Sequence, residues 1–333
     1  IQLGNILVDM YAKCGIFTKA KQVLEELPMR NTVSWNSLIT GYAQQGQAQN
    51  ALECFEWMQS EGLAPDVVTF ICVLKACGSS RDIDKGREIH EEIISRGFFK
   101  RSTALGTALL DMYVKCGMLM KGWDVLEELP ERNEVSWSAL IAGFSQQGHV
   151  REAFDCFLMM RYEGLSPDSV TFTCILKACA ITGSSDKGEH IHAEVNRLGL
   201  VKKDIVLGNA IVDMYVKCGM LEKAKEVLYS LPMRDPVSWT TVIQGYIQHD
   251  LGDEALTSFE QMREEGLNPD PFTFACIFKA CSSIGAIATG KELHMEIIEA
   301  GLHEEEKEEV CLVGNALVDM YSKCGIPTKA QYV

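Results

Sequence analysis

Asp9-Met10-Tyr11-Ala12-Lys13-Cys14-Gly15 returns as Asp111 to Gly117, Asp213 to Gly219 and Asp319 to Gly325, at steps of 102, 102 and 106 residues. Val33-Ser34-Trp35 returns as Val135-Ser136-Trp137 and Val237-Ser238-Trp239, and Pro65-Asp66 as Pro167-Asp168 and Pro269-Asp270. Self-similarity at a fixed period marks a repeat array. The plain length prior, about two globular domains for a chain of this size, therefore does not apply.

Each 102-residue unit divides again. Between Thr32 and Asp66, Trp35, Leu38, Ile39 and Tyr42 fall at i, i+3, i+4 and i+7, one face of a helix. Gly46 ends that helix. Ala48, Ala51, Leu52, Phe55 and Met58 carry the spacing into a second helix, and Gly62 and Pro65 close the segment. Strand alternation is absent. Two short amphipathic helices cannot bury their faces alone, so stacked neighbours must supply the core. The expected fold is all-α: a right-handed α-solenoid, a superhelix of stacked helix–turn–helix repeats. The expected segments are 1–31, 32–66, 67–102, 103–133, 134–168, 169–204, 205–235, 236–270, 271–310 and a truncated 311–333. The run Glu304-Glu305-Glu306-Lys307-Glu308-Glu309 makes the ninth longer and is expected to be a solvated loop.

Apolar residues make up 47% of the chain, enough for a continuous core, and no apolar run reaches the roughly 18 residues of a membrane span. Thirty-one basic against 46 acidic residues leave a net charge of −15, which by itself argues against nucleic-acid binding. Any such function must place basic groups locally and lean on the bases. The 13 cysteines include two periodic series, Cys14, Cys116, Cys218 and Cys324, and Cys77, Cys179 and Cys281. None forms Cys-x-x-Cys, so they read as reduced core filler and not as metal ligands. The chain begins on Ile1 and stops at Val333 in mid-pattern, which reads as a piece of a longer protein.

Chemistry-bearing patterns are few. His90-Glu91-Glu92, His192-Ala193-Glu194 and His294-Met295-Glu296 share the His-x-Glu of zinc deaminases but lack their Pro-Cys-x-x-Cys. A triplet that recurs with the repeat reads as part of the scaffold. Trp35, Trp137 and Trp239 read as core residues ahead of stacking platforms. No phosphate-binding loop, dinucleotide fingerprint or nucleophile elbow is present. No catalytic residue, metal, cofactor or small-molecule substrate is expected.

The 35-residue segments, from Val33-Ser34-Trp35-Asn36-Ser37-Leu38-Ile39 through Gly62-Leu63-Ala64-Pro65-Asp66, resemble pentatricopeptide repeats. The 35-, 36- and 31-residue alternation resembles the P, L and S motifs of the plant PLS subclass. S would fall at 1–31, 103–133, 205–235 and 311–333, P at 32–66, 134–168 and 236–270, and L at 67–102, 169–204 and 271–310. Leu74-Lys75-Ala76-Cys77 with Gly86-Arg87-Glu88-Ile89-His90 carries the L resemblance, and Gly208-Asn209-Ala210 with Asp213 to Gly219 the S resemblance. Tetratricopeptide repeats keep a fixed period of about 34 residues, which this chain does not.

The resemblance implies single-stranded RNA read one base per repeat, by the fifth residue of a motif together with its last. An Asn amide offers donor and acceptor together, a Ser or Thr hydroxyl leaves room for a purine, and the final Asp or Asn completes the pattern. Carried over, Asn5 with Asn31 favours C, with U second. Asn36 with Asp66 favours U, Thr107 with Asn133 A, Ser138 with Asp168 G, Asn209 with Asp235 U, and Thr240 with Asp270 G. In the L motifs Thr173 with Asp204 fits G, whereas Ile71 with Ser102 and Ala275 with Val310 carry an apolar fifth residue. The expected tract is 5′-CUnAGnUGn-3′. Helix capping is the plainer role for the same residue types. The reading requires an open concave wall. Asn36, Ser138, Asn209 and Thr240 on the convex side, or packed away from solvent, would defeat it.

The second residue of each motif would pack on base faces: Val33, Val135 and Val237, and Val68, Val170 and Phe272. Lys13, Lys115, Lys217 and Lys323 are candidate phosphate contacts, with a solvated helix end as the alternative. Within the family, the resemblance points to the specificity part of a mitochondrial or chloroplast C-to-U editing factor, with accessory editing factors as further partners. The alternatives are RNA stabilisation or splicing and, outside RNA biology, a protein-interaction scaffold.

Overall fold

The computed structural model describes residues 2–299 and 308–330. Among them it holds twenty α-helices, one short 3-10 turn and no strand. The chain divides into two units, residues 1–171 and 172–333.

The first unit runs through α1 (Gln2–Lys13), α2 (Phe17–Glu26), α3 (Thr32–Gln44), α4 (Ala48–Ser60), α5 (Val67–Ser80), α6 (Ile83–Ser95), α7 (Thr103–Lys115), α8 (Leu119–Glu128), α9 (Glu134–Gln146) and α10 (Val150–Tyr162), and α11 (Ser169–Thr182) begins at its end. Each odd-numbered helix from α1 to α7 packs on the even-numbered helix that follows it and on the next odd-numbered one, and α9 packs on α10. The first helices therefore form one row and the second helices a layer behind it. The second unit continues with α12 (Ser185–Arg197), α13 (Ile205–Lys217), α14 (Leu221–Ser230), α15 (Pro236–Gln248), α16 (Gly252–Glu264), α17 (Pro271–Ile284), α18 (Ile287–Glu299), α19 (Glu308–Lys323) and α20 (Pro327–Ala330). There α13, α15, α17 and α19 make the row. Each unit is α-solenoid in construction.

The local causes are those the spacing predicts. Trp35, Leu38, Ile39 and Tyr42 are all buried on one face of α3, and Ala51, Leu52, Phe55 and Met58 on one face of α4. Gly46 turns the chain out of α3 at φ +72°, a left-handed backbone that costs an L side chain about 1 kcal/mol or more. At Gly143 the constraint is space: a Cβ would stand 2.4 Å from Val114 Cγ1, so α9 could not lie this close to α7. Trp35, Trp137 and Trp239 are core, 4, 2 and 0% exposed. Their indole N–H groups donate to Glu61, Glu163 and Glu265 at 3.0, 2.8 and 3.0 Å. Arg30, Arg132 and Arg234 pair with the same three carboxylates.

One expectation is corrected. Glu308 and Glu309 do not continue a loop but open α19. Residues 304–307 of that run lie outside the described residues.

The cysteines are free thiols. Cys116 and Cys218 point their Sγ at the carbonyls of Cys77 and Cys179 at 3.8 and 3.9 Å, and Cys324 at that of Cys281 at 4.0 Å, tying adjacent helix pairs. Burial pushes the Cys77 and Cys179 thiols up to about 12, which keeps them protonated and unreactive. No group of side chains suited to a metal ion occurs among the described residues, and no helix there is long and apolar enough to cross a membrane.

The His-x-Glu histidines brace the same seams. His90, His192 and His294 place Nδ1 2.8, 3.0 and 2.9 Å from the hydroxyls of Tyr113, Tyr215 and Tyr321. Burial holds His90 and His192 below the usual histidine value of 6.5. The unfolded chain therefore takes up protons that the folded chain refuses. Stability is full above 6.5 and declines as the pH falls through that value toward the depressed ones. The melting temperature is expected to drop between about pH 7 and pH 5, with a smaller drop in H90N/H192N. An unchanged melting temperature in the parent chain over that range would contradict this.

Candidate nucleic-acid interface

Three kinds of helix pair follow from the lengths of the elements. In short pairs the second helix has 10 residues (α2, α8, α14), in middle pairs both helices have 13 (α3–α4, α9–α10, α15–α16), and in long pairs the first has 14 (α5, α11, α17). The candidate reading residues sit at the junctions between pairs.

Each candidate last residue whose surroundings are described accepts at least one backbone N–H at the start of the next helix. Asn31, Asp66, Asn133 and Asp235 form full capping boxes with Ser34, Thr69, Ser136 and Ser238. Asp168 and Asp270 accept the N–H of Thr171 and Thr273 at 2.8 and 2.7 Å. Ser102 and Asp204 cap α7 and α13. Capping, the plainer role, is thus real.

Several of these caps also meet the fifth residue of the preceding pair, 26 to 30 positions earlier in the chain. Asn5 Nδ2 donates to Asn31 Oδ1 at 3.4 Å, Asn36 Nδ2 to Asp66 Oδ1 at 3.0 Å, and Asn209 Nδ2 to Asp235 Oδ1 at 3.1 Å. Ser138 and Thr240 reach Asp168 and Asp270 through Thr171 and Thr273. Partial burial of Asp66 would raise its pKa. The bonds donated by Thr69 and Asn36 outweigh that and hold the carboxyl below its ordinary value, so it stays an anionic acceptor at neutral pH.

The open wall that the reading requires is missing at three of its four test positions, which are packed away from solvent. Asn36, Ser138 and Thr240 are buried, at 8, 8 and 6% exposure, and Asn5, Thr107 and Asn209 are half-buried. The cause is the next pair, whose Thr69, Thr171 and Thr273 hydroxyls lie on the first three at 2.6, 2.6 and 2.7 Å. Asp168 and Asp270 remain exposed. Thr173 is half-buried, as is Ile71, and Ala275 is buried; the side chain of Val310 lies outside those described.

The second-position residues stand in the open. Val33, Val68, Val135 and Val170 in the first unit, and Val237 and Phe272 in the second, are all exposed large apolar side chains three residues before a fifth position, hence on its helix face. In the second unit a cavity of about 400 Å³ is lined by Phe272, Ala275, Leu312 and Asn315, the second and fifth positions of two adjacent pairs, and by Gln244 and Lys279. The sequence reading missed Val206, Leu312 and Asn315, which occupy these positions by register alone. It also missed the three threonines, for which no periodic signal distinguishes a cap from a bridge.

The lysines are not free cations. Lys13, Lys115, Lys217 and Lys323 pair with Asp9, Asp111, Asp213 and Asp319 four residues earlier, at 2.7, 2.7, 2.9 and 2.8 Å. Exposed pairs of this kind are worth about 0.3–0.5 kcal/mol, so a phosphate can displace the carboxylate, but the local field is close to neutral.

The profile described as the PPR repeat family matches residues 30–79, 132–181 and 234–283, and the PPR repeat profile matches 5–31, 68–98, 107–134 and 209–235. The chain belongs to the pentatricopeptide repeat family. It is similar to a chloroplastic pentatricopeptide repeat-containing protein of Arabidopsis thaliana, 34% identical over 331 residues, covering 99% of this chain and 37% of the relative. A mitochondrial member from the same plant is 35% identical over 321 residues, covering 96% and 30%. The pentatricopeptide repeat protein PPR10 from maize shares the fold at a TM-score of 0.76 and 22% identity, over all of this chain and 53% of that one. PPR10 in complex with an 18-nt psaJ RNA element matches at 0.71 and 19%, over 91% and 46%. The chain spans well under two thirds of each of these relatives.

Proposed function

We propose that this pentatricopeptide chain binds single-stranded RNA and reads the tract 5′-CUnAGnUGn-3′ through its fifth and last residues. The carrying observation is a coincidence of orphans. Five buried side-chain polar atoms among the described residues lack a hydrogen-bond partner, and three are fifth-position atoms: Asn5 Oδ1, Thr107 Oγ1 and Asn209 Oδ1. A buried polar atom without a partner costs about 1–3 kcal/mol, and its recurrence at one register points to a ligand that supplies the partner. As placed, these three atoms are closed to solvent, so a base edge meets them only once the side chain turns toward the exposed second-position side chains on its helix face. The buried fifth residues of the middle pairs act with the last residue, whose carboxylate stays reachable at Asp168 and Asp270.

The available groups agree with the bases assigned. Asn5 Oδ1 with the Asn31 amide gives acceptor and donor, as cytosine needs. Thr107 with the Asn133 amide suits adenine. Ser138 with Asp168 and Thr240 with Asp270 suit the two Watson–Crick donors of guanine.

A fluorescence-anisotropy titration with the tract, its n positions held constant, against a scrambled RNA of the same composition tests the reading. Preference of at least about a hundredfold is expected, since each mismatched base costs about 1–3 kcal/mol. Equal affinity for both RNAs sinks it. With four paired lysines as the periodic phosphate contacts, the plot of log K against log salt is expected to be no steeper than about −3, at 0.7 per single-stranded phosphate contact. A markedly steeper slope would show that backbone charge, not base contact, carries the binding.

The ten-segment division and the PLS assignment belong to the same proposal, supported by the three recurring pair lengths. The chloroplastic and mitochondrial relatives support action in one of those organelles. The role put forward is the address part of a C-to-U editing factor, with deamination supplied elsewhere. RNA stabilisation without editing uses the same interface.

A further inference from the structure

The fifth-position residues fall into two classes that the sequence code alone does not separate. After each middle pair, the third residue of the next helix is a threonine: Thr69, Thr171 or Thr273. After each short pair it is a serine: Ser34, Ser136 or Ser238. Both kinds sit inside an N-terminal cap, yet their hydroxyls turn different ways. Ser34, Ser136 and Ser238 donate to the backbone carbonyl of their own cap residue at 2.7, 2.8 and 2.7 Å. Thr69, Thr171 and Thr273 instead contact the cap side chain, Asp66, Asp168 or Asp270, at 3.0, 2.7 and 2.6 Å, and reach across to the preceding pair. The branched Cβ restricts where a threonine hydroxyl can point.

A hydroxyl owns one hydrogen, and this fixes the direction of the chain of bonds. A carboxylate, as at Asp168 and Asp270, only accepts. Thr171 and Thr273 therefore give their hydrogens to Asp168 and Asp270. Ser138 and Thr240, 2.6 and 2.7 Å away, must in turn donate to the threonines. Each fifth-position hydroxyl is left with lone pairs only. Thr107, at the same position in a short pair, has no such partner: its Oγ1 is one of the orphaned atoms, and its hydrogen is free to turn.

We propose that Thr171 and Thr273 are positioning residues that set the choice of guanine over adenine at the preceding fifth position. With the hydroxyl held as an acceptor beside an acceptor carboxylate, the site matches guanine N1–H and N2–H₂. It presents nothing to adenine N1, which needs a donor. Released from the threonine, Ser138 or Thr240 turns its hydrogen outward and accepts adenine as well. The two residues touch no base themselves. The inference rests on the base-reading function proposed above.

The test compares RNAs carrying G or A opposite Ser138, bound to the parent chain, to T171S and to T171V. Serine keeps the cap, as Ser34, Ser136 and Ser238 show, and valine removes the hydroxyl at nearly constant shape. Both variants are expected to lower the G-over-A ratio about fivefold or more, the scale of one hydrogen bond, with T273S doing the same opposite Thr240. Affinity for the G-containing RNA should change much less than the ratio, which a merely structural role for the threonine would not produce. Folded T171S and T171V that both keep the parent ratio overturn the inference and leave the base-reading standing. A parent chain indifferent to G or A there overturns both.

Discussion

Replacing Trp239 with alanine is expected to destabilise the second unit by about 3–5 kcal/mol, the range for deleting a buried tryptophan. Its side chain is fully buried, packs edge-on against Tyr229 at 5.9 Å between centroids, and gives its only N–H to Glu265. Arg234 beside Glu265 holds that carboxyl below its ordinary value, with the Trp239 N–H adding to the effect. The substitution therefore opens a cavity and strips a partner from a charged pair in one step. In a solenoid such a gap also uncouples neighbouring pairs, because stability there is a sum of nearest-neighbour terms. Urea unfolding followed by circular dichroism reads the effect. Trp57, which is 47% exposed, supplies the control: W57A is expected to cost about 1 kcal/mol or less. A W239A chain as stable as W57A would show that the indole is not a keystone.

The second large effect is a change of letter. Ser138→Asn is expected to shift the preferred base opposite the α9–α10 pair from guanine to uracil, with the discrimination moving by about 1–3 kcal/mol, roughly fivefold to 150-fold. The accommodation is already visible one unit earlier in the chain. Asn36 occupies the same register, donates Nδ2 to Asp66 and accepts from Thr69 at 2.6 Å. Asp168 and Thr171 stand ready in the same places around residue 138. Competition binding between two RNAs that differ only at that base measures the shift. An S138N chain that still prefers guanine would mean that residue 138 does not face a base.

Much of the architecture was legible in the sequence because its causes are local. The 3.6-residue face of α3, the glycine that ends it and the capping Asp66 all act within one or two turns. The ion pairs that mute Lys13, Lys115, Lys217 and Lys323 were legible too. Asp9 and Lys13 both lie in the heptapeptide that betrays the repeat, four residues apart, the spacing at which a helix pairs them. The reading of those lysines as phosphate contacts weighed position and passed over that partner. Val206, Leu312 and Asn315 were likewise within reach by counting register.

The burial of Asn36, Ser138 and Thr240 was not legible. It depends on the next helix, whose Thr69, Thr171 and Thr273 hydroxyls lie against these side chains. No side-chain pattern in the first helix records that contact. The serine and threonine at the third position of each following helix look equivalent as caps, and only their partners distinguish them.

The sequence by itself determined the all-helical class, the 102-residue period, the buried faces and the caps, since each follows from interactions among residues a few positions apart. Tertiary structure alone decided which polar groups at the junctions are spoken for and which are left without a partner. Those bonds join residues 26 to 33 positions apart, where the direction of a single hydroxyl, set by the packing of neighbouring helix pairs, settles what remains to meet a ligand.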